Sequence, residues 1–375
     1  MENRVERLNR RQFLVRLGAT SAAITVVGAG VSALLNTTGK DAPSVALLPN
    51  ATEEARDAAD RSFPNSGDSV EPAAGTRPEF TPVADHYRID IAAIPPAING
   101  ETWRLPITGL VDNPIELTLD DIRNNFDPVY QYITMSCISN PVGGDLISTQ
   151  LWTGASFRDV LAQAQPKSEA THVKITSADG FDETVALDII NNDPEVTLNY
   201  DWDGQPLPVR NGFPLRTHIP NRFGMKQPKW ITGMELVAGD QDGFWVRRGW
   251  SKDALIRATS VIDTVAMDMM VIEDGVERRI VPVGGIAFAG PRGVSRVEVQ
   301  VDDGEWQEAE LRAPLNNNLD AYKTWRIWRF NWEYQAGAHT FTVRMYEEDG
   351  TPQIEDVNGV RPDGATGYHS HRSTL

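Results

Sequence analysis

Hydrophobic positions along this chain gather in short runs of strand length. From Tyr87 to about Ser260 those runs alternate with polar turns, and a few stretches, among them Leu119 to Asn125 and Ser156 to Ala164, carry the spacing of short helices. A mixed α+β domain is expected there. From about Val261 the pattern turns almost wholly to strand. Val297, Val299 and Val301 alternate with Arg296, Glu298 and Gln300, an Asp302-Asp303-Gly304 turn comes next, and Phe341, Val343 and Met345 alternate further on. That texture predicts an all-β sandwich of immunoglobulin type. No internal repeat is visible.

The amino terminus reads as an address label. Arg10-Arg11-Gln12-Phe13-Leu14 has the form of a twin-arginine export signal, and the apolar stretch from Leu17 to Leu35 behind it holds no acid. Export to the periplasm or the outer face of the cytoplasmic membrane is expected. A retained membrane anchor is the alternative, since about twenty apolar residues just span a bilayer. From Asn36 to Phe80 the chain is rich in Ala, Asp, Glu, Ser, Pro and Gly, with few large apolar residues to offset the entropy of ordering. It reads as a disordered tether. The expected organisation is therefore a signal or anchor at 1–35, a tether at 36–80, a mixed α+β domain at 81–260 and a β-sandwich domain at 261–375.

Composition narrows the function. Of 375 residues, 52 are Asp or Glu and 35 Lys or Arg, a formal net charge of -17, which repels polyanions and argues against nucleic-acid binding. There is one cysteine, so no intrachain disulfide and no C-x-x-C metal, cluster or haem motif can form.

Two segments carry candidate chemistry. In the first, a strand-like run from Tyr130 ends at Cys137, flanked by Ser136, Ser139 and Asn140, and Pro141, Gly143 and Gly144 then turn the chain. A lone thiol is most often a small buried hydrophobe. Polar neighbours and an oxidising destination point instead to a thiolate held by a soft metal. The second segment, Gly204 to Met234, contains no acid but holds Arg210, Arg216, Arg222, Lys226, Lys229 and His218 among glycines and prolines. It reads either as an anion site built from loops or as a solvated basic face.

Together these features resemble the sulfite oxidase family of molybdenum enzymes. Asn211-Gly212-Phe213-Pro214-Leu215-Arg216, then Gly224 and Lys229-Trp230, is similar to the family's His-Gly-x-Pro-x-Arg motif with its later Gly and Lys-Trp. Tyr87-Arg88-Ile89-Asp90, Trp152-Thr153-Gly154 and Asp179-Gly180 match in order, and Gly285 to Gly290 with Trp325, Trp328 and Trp332 resembles the family's dimerisation domain. The resemblance implies a molybdenum-molybdopterin cofactor with Cys137 as the metal ligand. It further implies that Tyr87, Arg88, Ser139, Asn140, Asp179, Asn211, Arg216, Gln227 and Lys229 contact the pterin or its phosphate.

Departures from the pattern bear on substrate. The motif's His is Asn211, an amide that hydrogen-bonds but carries no charge. Arginines that sulfite oxidases place after the cysteine and before the Trp-x-Gly sequence are Pro141, Val142 and Leu151 here. Arg247 and Arg248 are expected either to replace that charge in the catalytic pocket or to sit in surface ion pairs. The resulting expectation is an exported, homodimeric molybdenum oxidoreductase that transfers an oxygen atom and two electrons on a small substrate and exchanges electrons with a separate redox protein. A sulfoxide-type reductase with the same cofactor, or a non-catalytic binding protein with an inert thiol, are the alternatives.

Overall fold

The computed structural model describes residues 68–273, 275–313 and 324–375. The twin-arginine motif, the apolar stretch and the first part of the tether lie outside the described residues.

The catalytic domain is built from strands β1 (Leu105–Gly109), β2 (Ile115–Leu117), β3 (Pro128–Ser136), β4 (Ile147–Ser156), β5 (His172–Ser177), β6 (Asp182–Ala186), β7 (Thr197–Trp202), β8 (Gln205–Pro206), β9 (Arg216–His218) and β10 (Ile231–Val237). They form one five-stranded sheet in the order β2-β1-β10-β5-β6 and a second in the order β3-β4-β7-β8, with β9 also paired to β7. Three helices of six residues each interrupt them, α1 (Leu119–Asn124), α2 (Phe157–Ala162) and α3 (Leu187–Asn192). Thr118 starts α1 with a capping box closed by Asp121, and Ser156 caps α2 through Asp159 N. Ile122, Phe157, Val160, Leu187 and Ile190 of these helices share one core with Leu105, Ile107, Val173, Ile175, Leu198 and Tyr200 of the two sheets. The two helical stretches read from sequence are present, but helices this short leave the domain mostly β rather than an even α+β mixture.

Beyond it run β11 (Thr259–Val265), β12 (Met269–Glu273), β13 (Val276–Phe288), β14 (Arg296–Val301), β15 (Gln307–Glu308), β16 (Glu310–Leu311), β17 (Arg326–Glu333), β18 (Ala338–Tyr346) and β19 (His369–Thr374). One sheet has the order β11-β13-β17-β16 with β12 on β13, and the other β15-β14-β18-β19. Val281, Val283, Trp328 and Phe330 from the first meet Val297, Val299, Phe341, Val343 and Met345 from the second in a shared core. A further cluster, with Ile138, Ile147, Phe223, Met225, Ile256, Phe288, Trp325 and Ile327, joins this sandwich to the catalytic domain just behind Cys137.

Residues 68–80 depart from the tether reading. Ala73, Glu79 and Phe80 are buried. Glu79 pairs with Arg312 at 2.7 Å, both almost fully buried, and Arg77 with Asp263 at 2.6 Å. Trp325 Nε1 donates to Glu79 O, and Thr81 N to Thr149 O. Polar bonds therefore hold as a strap a segment whose apolar content is too low to predict order.

Candidate active site

Cys137 is the first residue past β3. Its N–H donates to Leu146 O at 2.9 Å and its carbonyl accepts from Asn140 N at 3.0 Å, so the loop closes directly on the thiol. Asn140 Oδ1 accepts from Leu146 N at 2.9 Å and stiffens the same loop. Gly143, at φ 76°, lies against the His369 ring of β19, where no side chain fits. Cys137 Sγ and Ser139 Oγ are 3.0 Å apart. Burial pushes the thiol's pKa up, and the Ser139 contact offsets this in part. By itself the thiol is protonated at neutral pH.

Across from it stands Arg216 at the start of β9. The side chain is buried, with its guanidinium 4.7 Å from the Trp152 ring centroid and 5.4 Å from that of Trp202. Nη1 donates to Asn211 O at 2.8 Å, Nη2 reaches Met135 Sδ at 3.4 Å, and Nε has no partner. Among the described residues no carboxylate forms an ion pair with it. Desolvation, opposed in part by Tyr87, pulls its pKa down to about 9. Lys229 differs, since its ammonium contacts Asp90, which also sits 3.1 Å from Arg88 Nε. Gly212, at φ 123°, lets the Asn211 loop pack on the stems of Lys229 and Arg216.

Both groups open into one cleft that holds about 850 Å³ counted out to solvent. Of the residues singled out from sequence, Tyr87, Cys137, Ser139, Asp179, Asn211, Arg216, Gln227 and Lys229 line it. Asn140 does not, because its amide is spent inside the cysteine loop, and Arg88 lies outside with its side chain 41% exposed. Leu151 packs on Phe80 and Tyr132 instead. Arg247 and Arg248 are also outside. Arg247 forms a forked pair with Asp182 at 2.9 and 2.5 Å, while Arg248 lies over the Phe244 ring and donates to Phe244 O. Arg247 thus makes a surface ion pair, while Arg248 makes a ring contact and a backbone bond.

Part of the cleft lining is aromatic and apolar, with Phe181, Trp245, Trp250, Ile138 and Met225 on it. None of these residues is singled out from sequence as a site residue, nor are His86 and Asp90, although Asp90 closes the Tyr87-Arg88-Ile89-Asp90 match. His86 is buried between the Tyr87 and Trp202 rings, and burial with the charges of Arg216, Lys229 and Arg210 keeps it neutral. A histidine next to Tyr87 was the one available signal.

Residues 91–245 match the model of the oxidoreductase molybdopterin binding domain, and residues 253–354 that of the Mo-co oxidoreductase dimerisation domain. The chain belongs to the sulfite oxidase family of molybdopterin-dependent oxidoreductases. Rat mitochondrial sulfite oxidase is 30% identical over 318 residues, covering 75% of this chain and 57% of that protein. Barley nitrate reductase [NAD(P)H] is 26% identical over 332 residues, covering 74% of this chain and 37% of that protein. The chain thus spans little more than a third of the nitrate reductases it matches and just over half of the sulfite oxidases. The structure of the sulfane dehydrogenase SoxCD from Paracoccus pantotrophus shares the fold, with a TM-score of 0.64 at 17% identity over 81% of this chain and 82% of that one.

The cofactor that membership implies, molybdenum-molybdopterin, fits what the cleft offers. One thiol is available to a soft metal, and a buried guanidinium with an unsatisfied Nε is available to an anion. Cys137 is the one cysteine of the chain, and it lines the cleft.

Proposed function

We propose that this member of the family is an exported oxidoreductase that transfers an oxygen atom and two electrons on a small substrate at the Cys137 cleft. The observation that carries this reading is the meeting, in one cleft, of a thiol fixed by a tight loop and a buried, unpaired Arg216. When bound, the molybdenum centre supplies the oxo and redox chemistry. The protein does the rest. Cys137 would ligate the metal and Ser139 would hold its sulfur in place. Arg216 and Lys229 would take the pterin phosphate, while Asn211, Gln227, Asp179 and Tyr87 would hydrogen-bond the pterin and its linkage. Tyr87, whose pKa burial raises well above its ordinary value, stays a neutral donor.

A reductase acting on a neutral substrate, of sulfoxide type, is the second reading, and the aromatic wall favours it. The two arginines that could have supplied charge are turned outward into contacts with Asp182 and Phe244, so binding of a dianion such as sulfite gains little from them.

Export by the twin-arginine route is supported by Arg10-Arg11 and the apolar stretch behind them. A separate redox protein as electron donor or acceptor belongs to this reading, and the structural likeness to sulfane dehydrogenase SoxCD supports it. A homodimer is supported by the match of residues 253–354 to a dimerisation domain. The two antiparallel sheets around one core support an immunoglobulin-like description of that domain. Metal analysis of the natively purified chain tests the central reading. About one molybdenum and one pterin per chain are expected, and a metal-free, pterin-free protein from a cofactor-competent host overturns it.

A further inference from the structure

We infer that His86 takes up a proton when an anion enters the cleft, and so supplies a cation that the cofactor-free site lacks. The inference rests on the reading above that Arg216 and Lys229 take the pterin phosphate, and adds to that site a group whose charge follows occupancy.

His86 is 6% exposed, and it lines the Cys137 cleft. Its ring stacks on Tyr87 at 5.2 Å between centroids and leans on Trp202 at 4.4 Å, so its place is fixed. Nδ1 is buried and has no hydrogen-bond partner. A buried imidazole is ordinarily oriented by a carbonyl or carboxylate on that nitrogen. The protein supplies none here, and leaving a buried ring nitrogen unbonded is costly to the fold.

The charges around the ring share one sign. Arg216 at the start of β9, Lys229 just before β10 and Arg210 in the turn Val209–Asn211 all act on it, and together with burial they keep it neutral. Lys229 is answered by Asp90, whereas no carboxylate among the described residues forms an ion pair with Arg216. An anion at Arg216 reverses this balance. It offsets the surrounding cations, gives Nδ1 an acceptor, and is bonded more strongly by a charged donor than by a neutral one.

The chain brings this ring to the right corner. Arg210 Nη2 donates to Ala84 O at 2.8 Å and Val83 O at 3.3 Å, and its Nε donates to Asn211 Oδ1 at 3.4 Å, so one side chain clamps the approach to His86 onto the Asn211 loop. Asn211 is an amide and takes no proton. His218, the other buried imidazole acted on by Arg216, already spends Nδ1 on Gln227 Oε1 at 3.2 Å and lies outside the cleft lining.

The test is sulfate binding to the full chain made without cofactor, by calorimetry in two buffers of different protonation enthalpy. The parent is compared with His86→Gln, His86→Asn and Arg216→Met. Sulfate is a dianion that does not itself titrate between pH 5.5 and 6.5. Over that range the parent should take up about one proton per sulfate and bind about tenfold more tightly at the lower pH, as one-proton linkage requires. Both His86 variants should change by less than about twofold over the same range. They keep Lys229, drawn down to about 7 by burial and by Arg88, and Asp179, raised by burial, so any share those groups have in the pH dependence stays in the variants. The histidine ring resonance missing from the variants should move to its protonated position when sulfate is added, and should stand there at pH 7 in the loaded enzyme. Sulfate bound by the parent without proton uptake, the parent's uptake persisting in a His86 variant, or a neutral His86 in the loaded enzyme overturns the inference and leaves the phosphate reading of Arg216 intact. No sulfate binding, or binding unchanged by Arg216→Met, overturns both. The parent's own proton count keeps the test decisive should neither His86 variant fold. Molybdenum content of the loaded enzyme reports separately on the catalytic reading.

Discussion

Replacing Arg216 with Met should stabilise the cofactor-free protein and at the same time destroy its anion site. The guanidinium is fully desolvated and has no carboxylate to answer it among the described residues. The fall of its pKa to about 9 corresponds to a penalty of about 5 kcal/mol on the charged form. Against this stand the bond to Asn211 O, a weak contact to Met135 Sδ and two ring contacts, together about 3 kcal/mol. A methionine of similar length fills the slot between Trp152 and Trp202 without the penalty, so the net gain should be about 1–3 kcal/mol. Below pH 9 the arginine is charged in both folded and unfolded states, so the gain should be constant from pH 6 to 8. The assay is urea unfolding of protein made in a host that cannot synthesise the cofactor, with and without pyrophosphate. The parent should be stabilised by the anion and the variant should not. A variant less stable than the parent in anion-free buffer would show that the buried charge holds the fold, and the reasoning would fail.

Three further outcomes are expected. Cys137→Ser should fold and keep pterin through Arg216 and Lys229 but lose turnover, because a hard hydroxyl replaces the soft thiolate; wild-type oxotransfer in that variant would end the ligand assignment. Sulfite should show a Michaelis constant far above the micromolar range, and since Arg247 and Arg248 sit in surface contacts, Arg247→Ala and Arg248→Ala should leave it within about twofold; a tenfold rise would put one of them in the pocket. Burial raises the pKa of half-buried Asp203 to about 7, so the native state holds an extra proton between about pH 4 and 7 and loses stability as pH rises through that window. Asp203→Asn should match the parent near pH 4 and exceed it at pH 8 by about 4 kcal/mol, and parallel pH–stability curves would refute the shift.

The strands of the fold could be read from alternation because half-buried strands must alternate, and the paired sheets around Val297, Val299, Phe341 and Val343 obey that rule. Cys137 and the basic segment were legible because they break the local pattern: a thiol among hydroxyls, and cations in an acidic chain. What lay hidden depended on which distant segments meet. His86, Phe181, Trp245 and Trp250 look ordinary in sequence and become cleft walls only when the sheets are assembled. The placing of Arg247 was hidden for the same reason, since Asp182, which holds it, lies 65 positions away on β6. The strap is illegible in sequence because ion pairs and hydrogen bonds to distant residues secure it together with only two buried apolar side chains, Ala73 and Phe80.

That strap also sets an order of events during synthesis. Its bonds join residues far apart along the chain. Arg312 Nη1 reaches Val70 O across 242 positions, and Arg329 Nη1 reaches Glu71 O across 258. The first cannot form until the ribosome has passed Arg312, nor the second until it has made β17, and closing loops of that length is slow. Residues 68–80 are synthesised early and settle late. A chain cut short before Arg312 keeps Asp263 for Arg77 but leaves Glu79 without that arginine and Val70 and Glu71 without their late partners, so the fully docked strap is a local sign that the carboxy-terminal sandwich has been made.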